Sequence, residues 1–256
     1  MAELLLIILF LILLTGFMVD AHENIYMHVS GPKKNEKLGN VTIFQMCNSP
    51  NTVALTYDDG PHPKNTPNLL DILKEENVTA TFFIMGSRVE NTESHSVMRR
   101  MANEGHEIAS HTYSHPNVKF ISQTMLLDEL ITTEKFIQAT TGTTPKLFRA
   151  PYGEITPEAA EIITALGYSI IYWSFDSRDW EAQSADEVES PFEKYSTPMH
   201  PYIILFHDIW KRSIDAQRPI IRRLKSLGYR FVTVSECIGL SPKSPNPAPL
   251  IQRLLI

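Results

Sequence analysis

The sequence predicts an α/β protein: a distorted (β/α) barrel of about seven parallel strands, built as one domain. Two observations predict it. From Val53 onward, short apolar runs alternate with segments whose apolar residues recur at helical spacing. Three joints also share one punctuation: Leu166-Gly167-Tyr168-Ser169, Leu227-Gly228-Tyr229-Arg230 and Glu104-Gly105-His106-Glu107. Each reads as a helix end, a glycine at C′ and a strand two residues later. Joints this short, repeated, imply βα units and a parallel sheet. An open doubly wound sheet is the alternative, but no glycine-rich phosphate loop favours it.

Val53–Thr56 is the first strand, and Leu69, Leu70, Ile72 and Leu73 mark a helix running to Glu76. Thr79–Met85 reads as a strand, with Val97, Met98 and Met101 on the next helix. Glu107–Ser110 is a short strand, followed by an amphipathic helix from Ser122 to about Ala139 with Leu126, Leu130 and Ile137 on one side. Lys146–Phe148 is a strand. Thr156 then caps a helix that has Pro157 at its first position. Ser169–Phe175 and Tyr202–Phe206 are the most apolar strands, a helix spans Ser213 to Leu227, and Phe231–Val234 is the last strand.

The flanks differ from this core. Leu4 to Val19 is almost unbroken apolar sequence, shorter than the ~20 residues of a spanning helix. Val19-Asp20-Ala21 follows as a cleavage site, so residues 1–21 read as a secretory signal, although Glu3 stands where a Lys or Arg is usual. Residues 22–50 form a polar lead-in without a motif, residues 51–240 the α/β domain and residues 241–256 a proline-rich tail. Cleavage would leave no membrane span. Asn40 and Asn77 begin N-glycosylation triplets. Cys47 and Cys237 fall just before the first strand and just after the last, places that are neighbours in a closed barrel, so a disulfide is expected. A net charge of −6 without a basic block argues against nucleic acid as a partner.

Polar groups collect where strands stop. The first strand runs into Asp58 and Asp59, and the third into His111 and, four residues on, His115. The fourth delivers Arg149, the fifth Asp176 and then Asp179, and the sixth His207. In a β/α barrel these ends meet at one mouth, where active sites lie. Singly, each has an ordinary reading: a turn for Asp58-Asp59-Gly60-Pro61, a surface pair for the two histidines, an ion pair for Arg149, core for Trp180. Their joint placement at strand ends is what those readings leave unexplained.

Five segments in order, Thr56-Tyr57-Asp58-Asp59-Gly60-Pro61, His111-Thr112-Tyr113-Ser114-His115, Arg149-Ala150-Pro151-Tyr152-Gly153, Asp176-Ser177-Arg178-Asp179-Trp180 and Leu205-Phe206-His207, resemble the five motifs of the polysaccharide deacetylases (NodB-homology, carbohydrate esterase family 4). With its leader, the chain looks most like secreted chitin deacetylases. The resemblance implies a metal-dependent amide hydrolase that removes N-acetyl groups from N-acetylglucosamine polymers, chitin first, working outside the cell or in a wall as a monomer. It implies one divalent ion, zinc with cobalt or manganese as alternatives, on Asp59, His111 and His115. Asp58 would be the general base, Arg149 its partner, His207 the general acid and Asp176 the carboxylate that orients His207. The Tyr152 N–H would serve an oxyanion, and Trp180 and Leu205 would line the acetyl slot. Rival readings are an O-acetyl polysaccharide esterase and a catalytically silent glycan-binding wall protein.

Overall fold

Strand β3, Thr52–Asp58, is buried at all seven positions and is hydrogen-bonded to strands on both of its sides. The computed structural model describes residues 35–193 and 200–240; the leader over 1–21, the lead-in before residue 35 and the tail over 241–256 lie outside the described residues. The other strands are β1 (Glu36–Leu38), β2 (Val41–Phe44), β4 (Thr81–Ile84), β5 (Glu107–Ser110), β6 (Leu147–Phe148), β7 (Ser169–Ile171), β8 (Phe175–Asp176), β9 (Tyr202–His207) and β10 (Arg230–Phe231). Helices α1 (Asn65–Glu75), α2 (Thr92–Asn103), α3 (Gln123–Thr141), α4 (Pro157–Ala165), α5 (Ala185–Glu193), α6 (Lys211–Ser226) and α7 (Val234–Cys237) intervene.

The sheet runs β1-β2-β7-β6-β5-β4-β3-β9-β8, with β10 beside the start of β3. All pairings are parallel except β1 with β2. β7 and β8 lie far apart in this order, yet only Tyr172–Ser174 separates them in the chain. The sheet must therefore curl until its flanks meet. The Tyr172 N–H donates to the Phe44 carbonyl of β2 and the Ser174 N–H to the Ile203 carbonyl of β9, so one run of chain closes the ring.

The three glycine joints are as the sequence predicts. Gly105, Gly167 and Gly228 all have left-handed φ. In each, the glycine N–H and the next N–H reach back to the C2 and C3 carbonyls, as His106 does to Met101, Tyr168 to Ile163 and Tyr229 to Leu224. Ser122 and Thr156 accept from Met125 and Ala159 as N-caps. The differences fall at the seams. The Ser169–Phe175 run is two strands, because its halves pair with different neighbours. Phe231–Val234 ends early, as Val234 already opens α7. The β1–β2 hairpin, in a lead-in too polar to read, adds β2 alongside β7.

Alternation along the strands sorts the core. Val53, Leu55 and Tyr57 pack outward with Leu69 and Leu70 of α1, Met98 of α2 and Ile214 of α6. Each such aliphatic side chain, fully buried, contributes roughly 1.5–3 kcal/mol. Ala54, Phe83, Ala109, Leu147, Ile171 and Ile203 form the lining of the curl. Counting on by twos from Ala54, Ala109, Leu147 and Ile203 reaches Asp58, His111, Arg149 and His207. The residues at the mouth are thus the inward-facing positions of the strands that carry them. Among the described residues no helix is long and apolar enough to cross a membrane.

Cys47 and Cys237 are joined as a disulfide across a sequence separation of 190 residues. Replacing both with serine should lower the unfolding free energy by up to roughly 5 kcal/mol, the chain-entropy value for so long a loop. Urea unfolding of the double variant measures it, and a loss well under 1 kcal/mol would mean that the bridge does not constrain the chain.

Candidate active site and metal centre

Two short loops, after β3 and after β5, carry Asp59 and the pair His111 and His115, and their ligand atoms lie within 4.8 Å of one another. Asp59 Oδ1 is 3.4 Å from His111 Nε2 and 3.3 Å from His115 Nε2. His111 Nδ1 lies 2.8 Å from the Arg149 carbonyl. A carbonyl only accepts, so Nδ1 carries the hydrogen and Nε2 is the ring atom turned toward Asp59. Asp59 Oδ1 is itself buried without a hydrogen-bond donor. Acceptors converging on one point are the donor set of a divalent cation, so the residues present fit a metal. Burial works against the Asp59 charge, but the two imidazoles hold its carboxyl far below the usual carboxylate range.

Backbone strain shapes the same loops. Asp59, Thr112, His115, Tyr152 and Arg178 all have φ between 55° and 73° without being glycine. Each such residue costs about 1–2 kcal/mol, and they gather at the strand ends. His111 and His115 therefore do not meet in helical register, as their spacing suggests. Thr112 and His115 in left-handed conformation fold the segment back, and the His111 and His115 rings lie 5.0 Å apart. Glu129 of α3 braces this turn, accepting from the N–H groups of Tyr113 and Ser114 at 2.7 Å each and from the Ser114 hydroxyl at 2.6 Å.

Asp58 and His207 are register partners on the adjacent strands β3 and β9. Asp58 Oδ1 accepts from Arg149 Nη1 at 2.7 Å. The guanidinium is fully buried and also donates to Thr56 Oγ1 and to the Ile171 and Tyr172 carbonyls, with its Cζ 4.0 Å from the centre of the Phe83 ring. Burial draws the Arg149 pKa down, opposed by the charge of Asp58.

The carboxylate that orients His207 is Asp179, and this corrects the sequence assignment to Asp176. Asp179 Oδ1 lies 2.7 Å from His207 Nδ1, and its Oδ2 accepts the His207 N–H at 2.7 Å. Asp176 instead accepts the Arg178 N–H at 2.8 Å, closing the turn after β8, and burial raises its pKa. That turn, with Arg178 left-handed, brings the second carboxylate of the motif back over β9. Burial alone would lower the His207 pKa; the hydrogen bond and charge of Asp179, then the charges of Asp58 and Asp59, raise it to about 9.

Leu205 is buried beneath His207, while Tyr152 and Trp180 are exposed at the rim. The Tyr152 ring meets His115 edge to face at 4.7 Å. Two supports escaped the sequence reading. Asp208 is buried with a pKa pushed up to about 7 by burial, and accepts from the Thr66 hydroxyl. A Cβ on Gly60 would lie 2.1 Å from its carboxylate, so the chain can pass there only as glycine. Glu129 sits mid-helix with nothing in its spacing to single it out.

The family model described as polysaccharide deacetylase matches residues 45–171. A chitin deacetylase of Colletotrichum lindemuthianum is 37% identical over 213 residues, 79% of this chain and 86% of that protein. Its solved structure superposes with a TM-score of 0.75 at 36% identity, covering 79% of this chain and 94% of the other. A peptidoglycan-N-acetylglucosamine deacetylase of Bacillus cereus is 40% identical over 186 residues, 71% of this chain and 66% of that protein. Similarity of this extent, over a chain whose strand ends gather the same five motifs around one centre, makes the protein a member of the polysaccharide deacetylase family.

Proposed function

We propose that the chain is a metal-dependent hydrolase that removes N-acetyl groups from N-acetylglucosamine polymers, chitin before others. One observation carries this reading: a three-acceptor metal centre lies directly beside an acid and a base that are register partners. The similarity to chitin and peptidoglycan deacetylases sets the substrate class. Zinc suits the donor set of one carboxylate and two imidazoles best, with cobalt or manganese admitted by the same ligands.

Asp59, His111 and His115 hold the cation, which when bound polarises the acetyl carbonyl and acidifies water. Asp58, fixed by its bond from Arg149, takes a proton from the attacking water. A new C–O bond forms, and the carbonyl carbon becomes tetrahedral. The Tyr152 N–H donates to the oxygen on which charge collects. His207, doubly protonated through Asp179, gives the Nε2 proton to the nitrogen as the C–N bond breaks, releasing amine and acetate. Leu205 and Trp180 receive the acetyl methyl. The two titrating groups work in opposite senses, since Arg149 sustains an anion and Asp179 a cation. Secretion, with glycans on the exposed Asn40 and Asn77, accords with the apolar leader and the disulfide.

Acetate release from short chitin oligomers, with and without added zinc or cobalt, tests the reading, and acetylated xylan run in parallel separates an esterase. Asp58→Asn should keep stoichiometric metal and lose roughly 10²–10⁴-fold in kcat. Asp59→Ala should bind no metal in elemental analysis; a folded variant that still held one equivalent would refute the ligand set.

The pH dependence has a definite sign. A His207 pKa raised to about 9 means the acid is available below that pH and lost above it. Asp179→Asn removes the largest favourable influence, so NMR titration of His207 in the metal-free protein should show its midpoint falling. The alkaline limb of the rate should move down with it. Asp176→Asn should move both less, and the reverse order would return the orienting role to Asp176.

A further inference from the structure

The chain has three tryptophans, and all three follow the C-terminal ends of strands at the mouth: Trp173 after β7, Trp180 after β8 and Trp210 after β9. Trp173 is spoken for, packed 2.9 Å from where a Cβ on Gly153 would lie. Trp180 lines the acetyl slot in the proposed reaction. Trp210 has no part in that reaction, yet it stands three residues beyond His207 with 37% of its surface exposed.

Its ring is held. The Arg212 guanidinium lies over one face, Cζ 4.5 Å from the ring centre. Arg212 in turn donates from Nε to the Asp179 carbonyl at 2.7 Å and from Nη2 to the Trp180 carbonyl at 2.9 Å. Both bonds go to main-chain oxygen. The backbone is fixed as well: the Trp210 carbonyl accepts from Ser213, and the preceding Ile209 carbonyl accepts from Asn65 Nδ2 at 2.8 Å. A large apolar ring is thus pinned on one side by a cation and left open to solvent, on the loop that carries the acid. Such a ring loses little entropy when a ligand packs on it. The electron-rich face of an indole attracts weakly positive C–H groups, and a pyranose with equatorial substituents presents a flat face of them.

We infer that Trp210 is a sugar-stacking subsite adjoining the reaction centre, taking the pyranose ring of a neighbouring N-acetylhexosamine unit, with Arg212 as its clamp. The inference rests on the glycan reading above. Arg212 also fixes the peptide of Asp179, so platform and acid move as one unit.

The test uses the metal-loaded protein and the tetramer of N-acetylglucosamine. In the Asp58→Asn background, calorimetry should give a Kd about tenfold weaker when Trp210→Ala is added, the size of one aromatic stacking contact. Trp210→Phe should recover most of it. In the otherwise wild-type enzyme, Trp210→Ala should raise KM for the tetramer by a similar factor and leave kcat within twofold. A tetramer Kd within twofold of the parent overturns the subsite, as does a kcat loss at constant KM. If the alanine variant fails to keep its metal or its circular dichroism, Trp210→Leu, apolar but without a ring, gives the same comparison. Wild-type protein that releases no acetate from any oligomer would sink the proposed reaction, whereas the binding comparison would still judge the platform.

Discussion

The site hangs from one buried cation. The Arg149 guanidinium, wholly inside the curl, ties Asp58 and Thr56 of β3 to the carbonyls of Ile171 and Tyr172, while the carbonyl of the same residue fixes His111. Four strands are thereby registered around one planar group. A charge buried this way is costly unless each donor is met, and removing Asp58 alone would leave it uncompensated. Arginine suits the position because its fork spans several acceptors at fixed angles, which a lysine could not do. Phe83 beneath it adds a face to rest on.

Around that anchor, opposite charges are distributed by distance and burial. Asp59 is held anionic between two imidazoles, Asp58 is bonded to the guanidinium, and His207 is held cationic by Asp179. Asp208, buried behind Gly60 next to this group, has its carboxyl pushed up to about 7 by burial. An additional full negative charge there is expensive, and the Thr66 hydroxyl and the charge of His207 offset only part of that cost. The loops meet these demands with strained backbone, and they are braced from outside by Glu129 and Arg212, which spend their side chains on main-chain groups.

Much of this was legible in the sequence, for specific reasons. Schellman glycines marked the helix-to-strand joints because only a left-handed residue fits there, and the meeting of strand ends at one mouth gathered Asp58, His111, Arg149 and His207. Other parts were hidden. The β1–β2 hairpin is too short and polar to carry a period, and α5 has its signal cut by Pro191. The choice between Asp176 and Asp179 depended on one left-handed residue, Arg178, which spacing along a chain does not encode. Glu129 and Arg212 brace the loops largely through backbone atoms, which carry no side-chain signature to match. The pairing of Cys47 with Cys237, by contrast, followed from closure alone.

The way the ring is shut has a mechanical corollary. From β5 through β4 and β3 to β9 the strands share unbroken ladders, and Asp58, Asp59, His111 and His207 stand on or just beyond that arc. The join lies elsewhere, at Tyr172–Ser174, between the three-residue β7 and the two-residue β8, where single bonds to β2 and β9 do the closing. The weakest stretch of the cylinder is thus the join itself, whose Tyr172 carbonyl also accepts from Arg149, so loosening there would be felt at Asp58.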